Sequence, residues 1–215
     1  MCSTRLPGKV LKPIAGKVLL DHVLGRLSLL RYPVKVVIAT SDLPQDDVIA
    51  RHCEARGVAV FRGSEADVLD RYYRCACEHR FAHVVRLTAD NPFIDMDELQ
   101  NLIELHLAQG NDYTHSFGVM PVGVGAEIFS FAALEKSAQE GHASNHREHV
   151  NEYIQENPNL FHIGALQVAA GKNRTDLRLT VDTEADYQRA CMIAGHAPER
   201  WIGTEEAIEL CSRSA

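Results

Sequence analysis

Apolar positions along the chain follow two rhythms that take turns. Over residues 17–31, KVLLDHVLGRLSLLR, Leu19, Leu20, Val23, Leu24, Leu27 and Leu30 recur at helical spacing and mark one buried face. VKVVIAT (34–40) is a short β-branched run, as in a strand covered on both sides, and it ends in polar Thr40, Ser41 and Asp42. Residues 45–56 read as a helix stopped by Gly57, and VAVF (58–61) as the next strand. Ser64 to Asp67 form a capping-box-like start to a helix through about His79. HVVRLT (83–88) reads as a strand closed by Asp90, Asn91 and Pro92, and Asp95 to Glu98 cap a helix ending at Gly110. DYTHSF (112–117) and GAEIFSF (125–131) read as strands, and 131–139 and 147–155 as helices. LFHIGALQV (160–168) and LRLTV (177–181) complete the strands, and Thr183 to Asp186 cap a helix to about Gly195.

This β/α beat predicts an α/β fold: a mainly parallel sheet with helices on both faces, in one domain over 1–215. Ligands of such sheets sit beyond the carboxyl ends of the strands. That rule singles out three places: the opening loop, Asp90 and Asp182.

Composition narrows the class without changing this picture. With 46% hydrophobic and 24% charged residues the 215-residue chain is globular in type. A net charge of -7 argues against a general nucleic-acid binder, which needs a cationic face. It leaves room for a small anionic substrate held by local cations. No apolar run approaches the ~18 residues of a membrane span, and no signal-peptide core is visible, so a cytoplasmic location is expected. The six cysteines show no CxxC and no zinc spacing, and read as reduced, partly buried small hydrophobes.

The chemistry starts at MCSTRLPGK. Arg5 and Lys9 offer a forked and a point cation, Pro7 stiffens the turn, and Gly8 lets backbone come close to a ligand. Such a loop can grip phosphates; it also reads as a merely solvated basic segment. It is not a Walker A loop. Asp90 in TADNP and Asp182 in TVDTEAD are short acids at predicted strand ends. Either alone reads as a cap or turn residue. Together, on the same edge as a phosphate-gripping loop, their hard oxygens suit Mg²⁺ bound to substrate phosphates. That is the layout of phosphoryl and nucleotidyl transfer. His142, His146 and His149 lack fixed ligand spacing, and Tyr72 and Tyr73 read as core.

The segments STRLPGKVLKPIAGKVLLDHVLGRL, RGSEADVLDRYY, VVRLTADNPFID, REHVNEYI and LRLTVDTEADY resemble the cytidylyltransferases that activate acidic sugars. The resemblance is to the spore coat polysaccharide biosynthesis protein F branch, akin to the CMP-KDO and CMP-acylneuraminate synthetases. It spans essentially the whole chain. It implies a Rossmann-like nucleotide-diphospho-sugar transferase fold using CTP and Mg²⁺, with a homodimer expected by analogy. By motif, Ser3, Arg5 and Lys9 would hold the triphosphate and Asp90 and Asp182 the metal, with Arg5, Lys9 and Asp90 as the catalytic set. The acceptor would be an ulosonic or nonulosonic sugar acid whose anomeric hydroxyl attacks the α-phosphorus. Pyrophosphate would leave, and the CMP-sugar would serve cell-surface or spore-coat polysaccharide synthesis. Glu127 would orient a sugar hydroxyl and Arg147 would face an anionic group.

In the resembled family a strand and an Ala-Arg pair precede the loop. Here Met1 falls on the family's internal methionine and Cys2 replaces its usual glycine. The first strand is therefore expected to be missing, leaving ladder groups unpaired and the chain weakened or weakly active. Two alternatives stand beside nucleotidyl transfer: a nucleotide-sugar-dependent glycosyltransferase on a similar scaffold, and a truncated, inactive relic.

Overall fold

The computed structural model describes residues 5–213. A short hairpin of β1 (Pro13–Ile14) and β2 (Lys17–Val18) precedes α1 (Leu19–Arg26). The helix therefore starts two residues later than its apolar rhythm suggests, because Lys17 and Val18 pair with Ile14 and Pro13. Next come β3 (Val37–Ser41), α2 (Asp47–Glu54), β4 (Ala59–Gly63), α3 (Val68–His79), β5 (His83–Arg86) and α4 (Met96–Gln109). The chain continues through β6 (Tyr113–His115), β7 (Glu127–Ser130), α5 (Phe131–Glu140), α6 (Ser144–Glu148), α7 (Glu152–Glu156) and β8 (Ile163–Ala165). It closes with α8 (Glu184–Gly195) and α9 (Thr204–Arg213).

The α/β class is as the periodicity predicts, and the pairing within the sheets is mixed. β3 and β4 pair in parallel through the α2 crossover. The larger sheet runs β5-β7-β6-β8, parallel between β6 and β8 and antiparallel across β7. β6 and β7 are joined without a helix, so the chain turns back on itself there. Among the described residues β3 pairs only with β4 and β5 only with β7, so each keeps an open edge. Both strands line an apolar groove of about 410 Å³ whose walls include Leu24, Val36, Ile38, Val85 and Leu87.

Two local expectations are corrected by packing. LRLTV (177–181) is not a strand of either sheet, because its hydrogen bonds are divided between two partners. Val122 exchanges N–H···O bonds with Leu177 and Leu179, while Val181 donates to Asp90 O. The helix expected over 147–155 breaks at extended His149 (φ -117), which seats Val150 in the core. The C-terminal helix α9 buries Ala207, Ile208 and Cys211, which recur at helical spacing.

The main core joins α1, α4, α8 and the 177–181 segment through Leu19, Ile94, Leu102, Val181 and Ile193. A second core packs Leu69 of α3 and Leu134 of α5 onto Tyr113 and Phe129. Against it α4 buries His106, 1% exposed, between His83 Nδ1 (3.0 Å) and Thr114 Oγ1 (2.9 Å). Burial, and then the neighbouring His83, push the His106 pKa from 6.5 down to about 4. A base whose folded pKa is depressed contributes stability above its unfolded pKa, and that stability is lost as pH falls through the gap toward 4. At ~1.4 kcal/mol per pKa unit the loss is on the order of 3 kcal/mol. The urea midpoint is expected to fall between pH 6.5 and 4, and His106→Gln to flatten most of that fall. His22 and His115, also lowered by burial, and the depressed carboxyls of Asp46, Asp182 and Asp186 supply the remainder. A midpoint profile unchanged by the substitution would contradict this assignment.

Candidate active site

Leu6, buried in the main core, anchors the opening turn. Lys9 N–H donates back to Leu6 O, and Gly8, at φ 68, caps a single tight turn over Lys9–Leu11. A side chain at that φ would be strained, which is why glycine serves there. The turn aims Lys9 inward. Its Nζ donates to Asp90 Oδ2 and to Asp182 Oδ1, both at 2.7 Å, across 81 and 173 residues of sequence. Arg5, more exposed, reaches Asp182 at 3.5 Å.

Backbone bonds bring the two acids together. Val181 N–H donates to Asp90 O at 2.9 Å, and Asp182 N–H to Asp186 Oδ2 at 3.1 Å. Asp186 and Thr183 form the capping box that starts α8. Gly123 permits the close approach of the neighbouring loop, since a Cβ there would lie 2.5 Å from Thr180 N. Arg178, which the sequence reading passed over, donates to Asp182 and lies 3.8 Å from Asp186. Burial works against the charge of Asp182, yet hydrogen bonding and charge from Lys9, then Arg178 and Arg5, hold its carboxyl below the usual carboxylate range.

From this rim a groove of about 460 Å³ runs inward, lined by Arg86, Thr88, Asp90, Ser116, Phe117 and Arg178, among others. From Val85 to Asp90 the lining alternates: Arg86, Thr88 and Asp90 line this groove, and Val85, Leu87 and Ala89 the apolar one. VVRLTAD thus held a period-two signal for Arg86 and Thr88 that only Asp90 was credited with.

Arg5, Lys9, Asp90 and Asp182 therefore meet at one rim. Ser3 lies outside the described residues. Glu127 and Arg147 are placed differently from their expected roles. Glu127 sits opposite Arg86 in the β5–β7 ladder and is fully buried. Arg86 Nη1 donates to its Oε1 at 2.5 Å and Tyr113 OH to its Oε2 at 2.6 Å, so neither oxygen is open to a sugar hydroxyl. Asn151 Nδ2 donates in turn to Tyr113 OH at 3.2 Å. Burial, then the charge of and hydrogen bond to Glu127, raise the Tyr113 pKa, keeping the phenol a donor. Arg147 donates to Ala138 O at 3.0 Å and lies 3.6 Å from Asp67, away from the groove lining. Its charge is spent joining α6 to the ends of α3 and α5.

The chemical capacity of the rim follows from its charges. Three cations, Arg5, Lys9 and Arg178, face two carboxylates. Two hard oxygens converging on one ammonium are donors of the kind a divalent cation takes, with phosphate and water needed for its other positions.

The family profile described as Cytidylyltransferase matches residues 1–211. The spore coat polysaccharide biosynthesis protein SpsF of Bacillus subtilis (strain 168) is 36% identical over 222 residues, 100% of this chain and 91% of its own length. A 3-deoxy-manno-octulosonate cytidylyltransferase of Solibacter usitatus is 37% identical over 93 residues, 43% of this chain and 36% of its own. A solved cytidylyltransferase of Leptospira borgpetersenii superimposes with a TM-score of 0.92 at 30% identity, covering 100% of this chain and 91% of that one.

Proposed function

The chain belongs to the cytidylyltransferase family, and from that premise we propose that it transfers CMP from CTP to a hydroxyl of a sugar acid and releases pyrophosphate. The observation that carries the reading is Lys9 held between Asp90 and Asp182 at one rim. Arg5, Lys9 and Arg178 bind the triphosphate and offset its charge. The acceptor lies in the groove beside Asp90, where its hydroxyl oxygen attacks the α-phosphorus. The bond to the bridging pyrophosphate oxygen breaks, and the hydroxyl proton passes to solvent. Asp90 and Asp182 are the residues that would hold Mg²⁺. Bound there, the ion would neutralise phosphate charge and polarise the α-phosphate. The name of the Solibacter relative supports an acidic acceptor, and that of the Bacillus relative supports a product used in surface polysaccharide.

The test is a matrix of four nucleoside triphosphates against several sugar acids with Mg²⁺, reading pyrophosphate. Release from CTP that depends on the sugar acid is expected. Turnover of a nucleotide-sugar without pyrophosphate would instead support a glycosyltransferase, and no turnover in any well would count against an enzyme.

A further inference from the structure

We infer that Arg86 is a specificity residue which receives the end of the acceptor sugar remote from the reacting hydroxyl, by donating hydrogen bonds to a neutral oxygen. The inference rests on the proposed nucleotidyl transfer.

Arg86 is one-fifth exposed in its side chain and lines the groove that begins at Asp90. Its guanidinium has five N–H donors. Among the described residues its hydrogen bond is to Glu127, and its buried Nε–H meets no acceptor. The network of Glu127, Tyr113 and Asn151 fixes the group from one side, and the Tyr72 ring lies 5.7 Å from it on another. A donor group held in place, with unused capacity, thus lines the groove that begins at Asp90.

Position sets which part of a ligand it meets. Arg86 ends β5, and Asp90 lies four positions on, in the turn that Asn91 N–H closes on Thr88 O, so the two Cα atoms are at most roughly 13 Å apart at ~3.3 Å per residue. A carboxylate attached beside the reacting carbon stays near Asp90, and a hydroxylated tail on the opposite side of the sugar ring extends along the groove toward Arg86. Charge sets the kind of group. Glu127 already neutralises Arg86, so a further buried anion would be uncompensated, whereas a hydroxyl or amide oxygen adds no charge.

The full chain is assayed with CTP and two acceptors: an eight-carbon 3-deoxyulosonic acid, and its six-carbon counterpart lacking the two-carbon tail. The wild-type chain is expected to prefer the longer acid by about tenfold or more in kcat/KM, the size of effect from one buried donor losing its partner. Arg86→Lys keeps a charge for Glu127, and the double variant Arg86→Met/Glu127→Gln removes both charges, so that folding is preserved by one route or the other. Both are expected to bring the preference to within about twofold through acceptor KM, with CTP KM unchanged. Arg147→Ala is expected to keep the preference. A preference that survives in both Arg86 variants overturns the inference and leaves the proposed function intact. So does a parallel rise in CTP KM, which a general structural role would give. If the wild-type chain releases no pyrophosphate with either acid or with any other, the functional reading has failed and the inference falls with it.

Discussion

Lys9→Ala is expected to lower kcat by about 10²–10³-fold, the cost of removing one preorganised charge from a transition state. The fold is expected to lose some stability too, because the Lys9 side chain is only 13% exposed and its removal leaves two mostly buried carboxylates without their shared cation. The same substitution is expected to tighten Mg²⁺ binding. Without triphosphate, the Lys9 ammonium occupies the point on which the Asp90 and Asp182 oxygens converge, at 2.7 Å from each. Removing it leaves two facing carboxylates whose repulsion a divalent ion relieves. Turnover falling while metal affinity rises is a combination that simple misfolding cannot produce. Steady-state kinetics with titration calorimetry against Mg²⁺ reads both. A variant with wild-type kcat would show that Lys9 only ties the opening turn to the acids.

Glu127→Ala is expected to destabilise the fold by about 3–5 kcal/mol, because it strips the partner from a buried charge. For a chain of this length that is a fall in Tm of roughly 10 °C, at ~2–4 °C per kcal/mol. Two groups are stranded at once: Arg86 loses its ion pair and Tyr113 its acceptor. Burial by itself would weaken the Arg86 charge, and Tyr72 and Glu127 together more than reverse that, raising its pKa. The rival reading, in which Glu127 holds a sugar hydroxyl, predicts an unchanged Tm and a raised acceptor KM. Thermal unfolding of the variant separates them, and a Tm within 2 °C of wild type, the shift of a sub-kcal change in a chain this size, would return Glu127 to the substrate.

The contrast between Lys9 and Glu127 shows what kind of information the chain carries openly. Both are ionic residues in motif-like surroundings, and both were candidates for touching substrate. Lys9 follows a Pro-Gly turn, and that local chemistry constrains where it points. Glu127 lies in GAEIF, where a strand presents alternate residues to opposite sides. Which side is buried depends on what lies across the ladder, and here that is Arg86, 41 residues away. Arg147 differs in the same way: REH at a helix start reads as free charge until Asp67 and Ala138 O arrive from other elements.

By itself the sequence determined the local elements and the turn chemistry. Apolar spacing set most helices and strands, glycine set the Gly8 turn, and short acids at strand ends nominated Asp90 and Asp182. Those properties depend on residues within a few positions of one another, where backbone sterics and periodicity act directly. The tertiary structure alone decided that Val181 bonds to Asp90 rather than to a sheet neighbour, that β7 runs antiparallel to both strands beside it, and that Arg86 rather than Arg147 faces the groove. Long-range pairing, burial and charge compensation are properties of residues far apart in the chain, and they take their values only once the chain has folded.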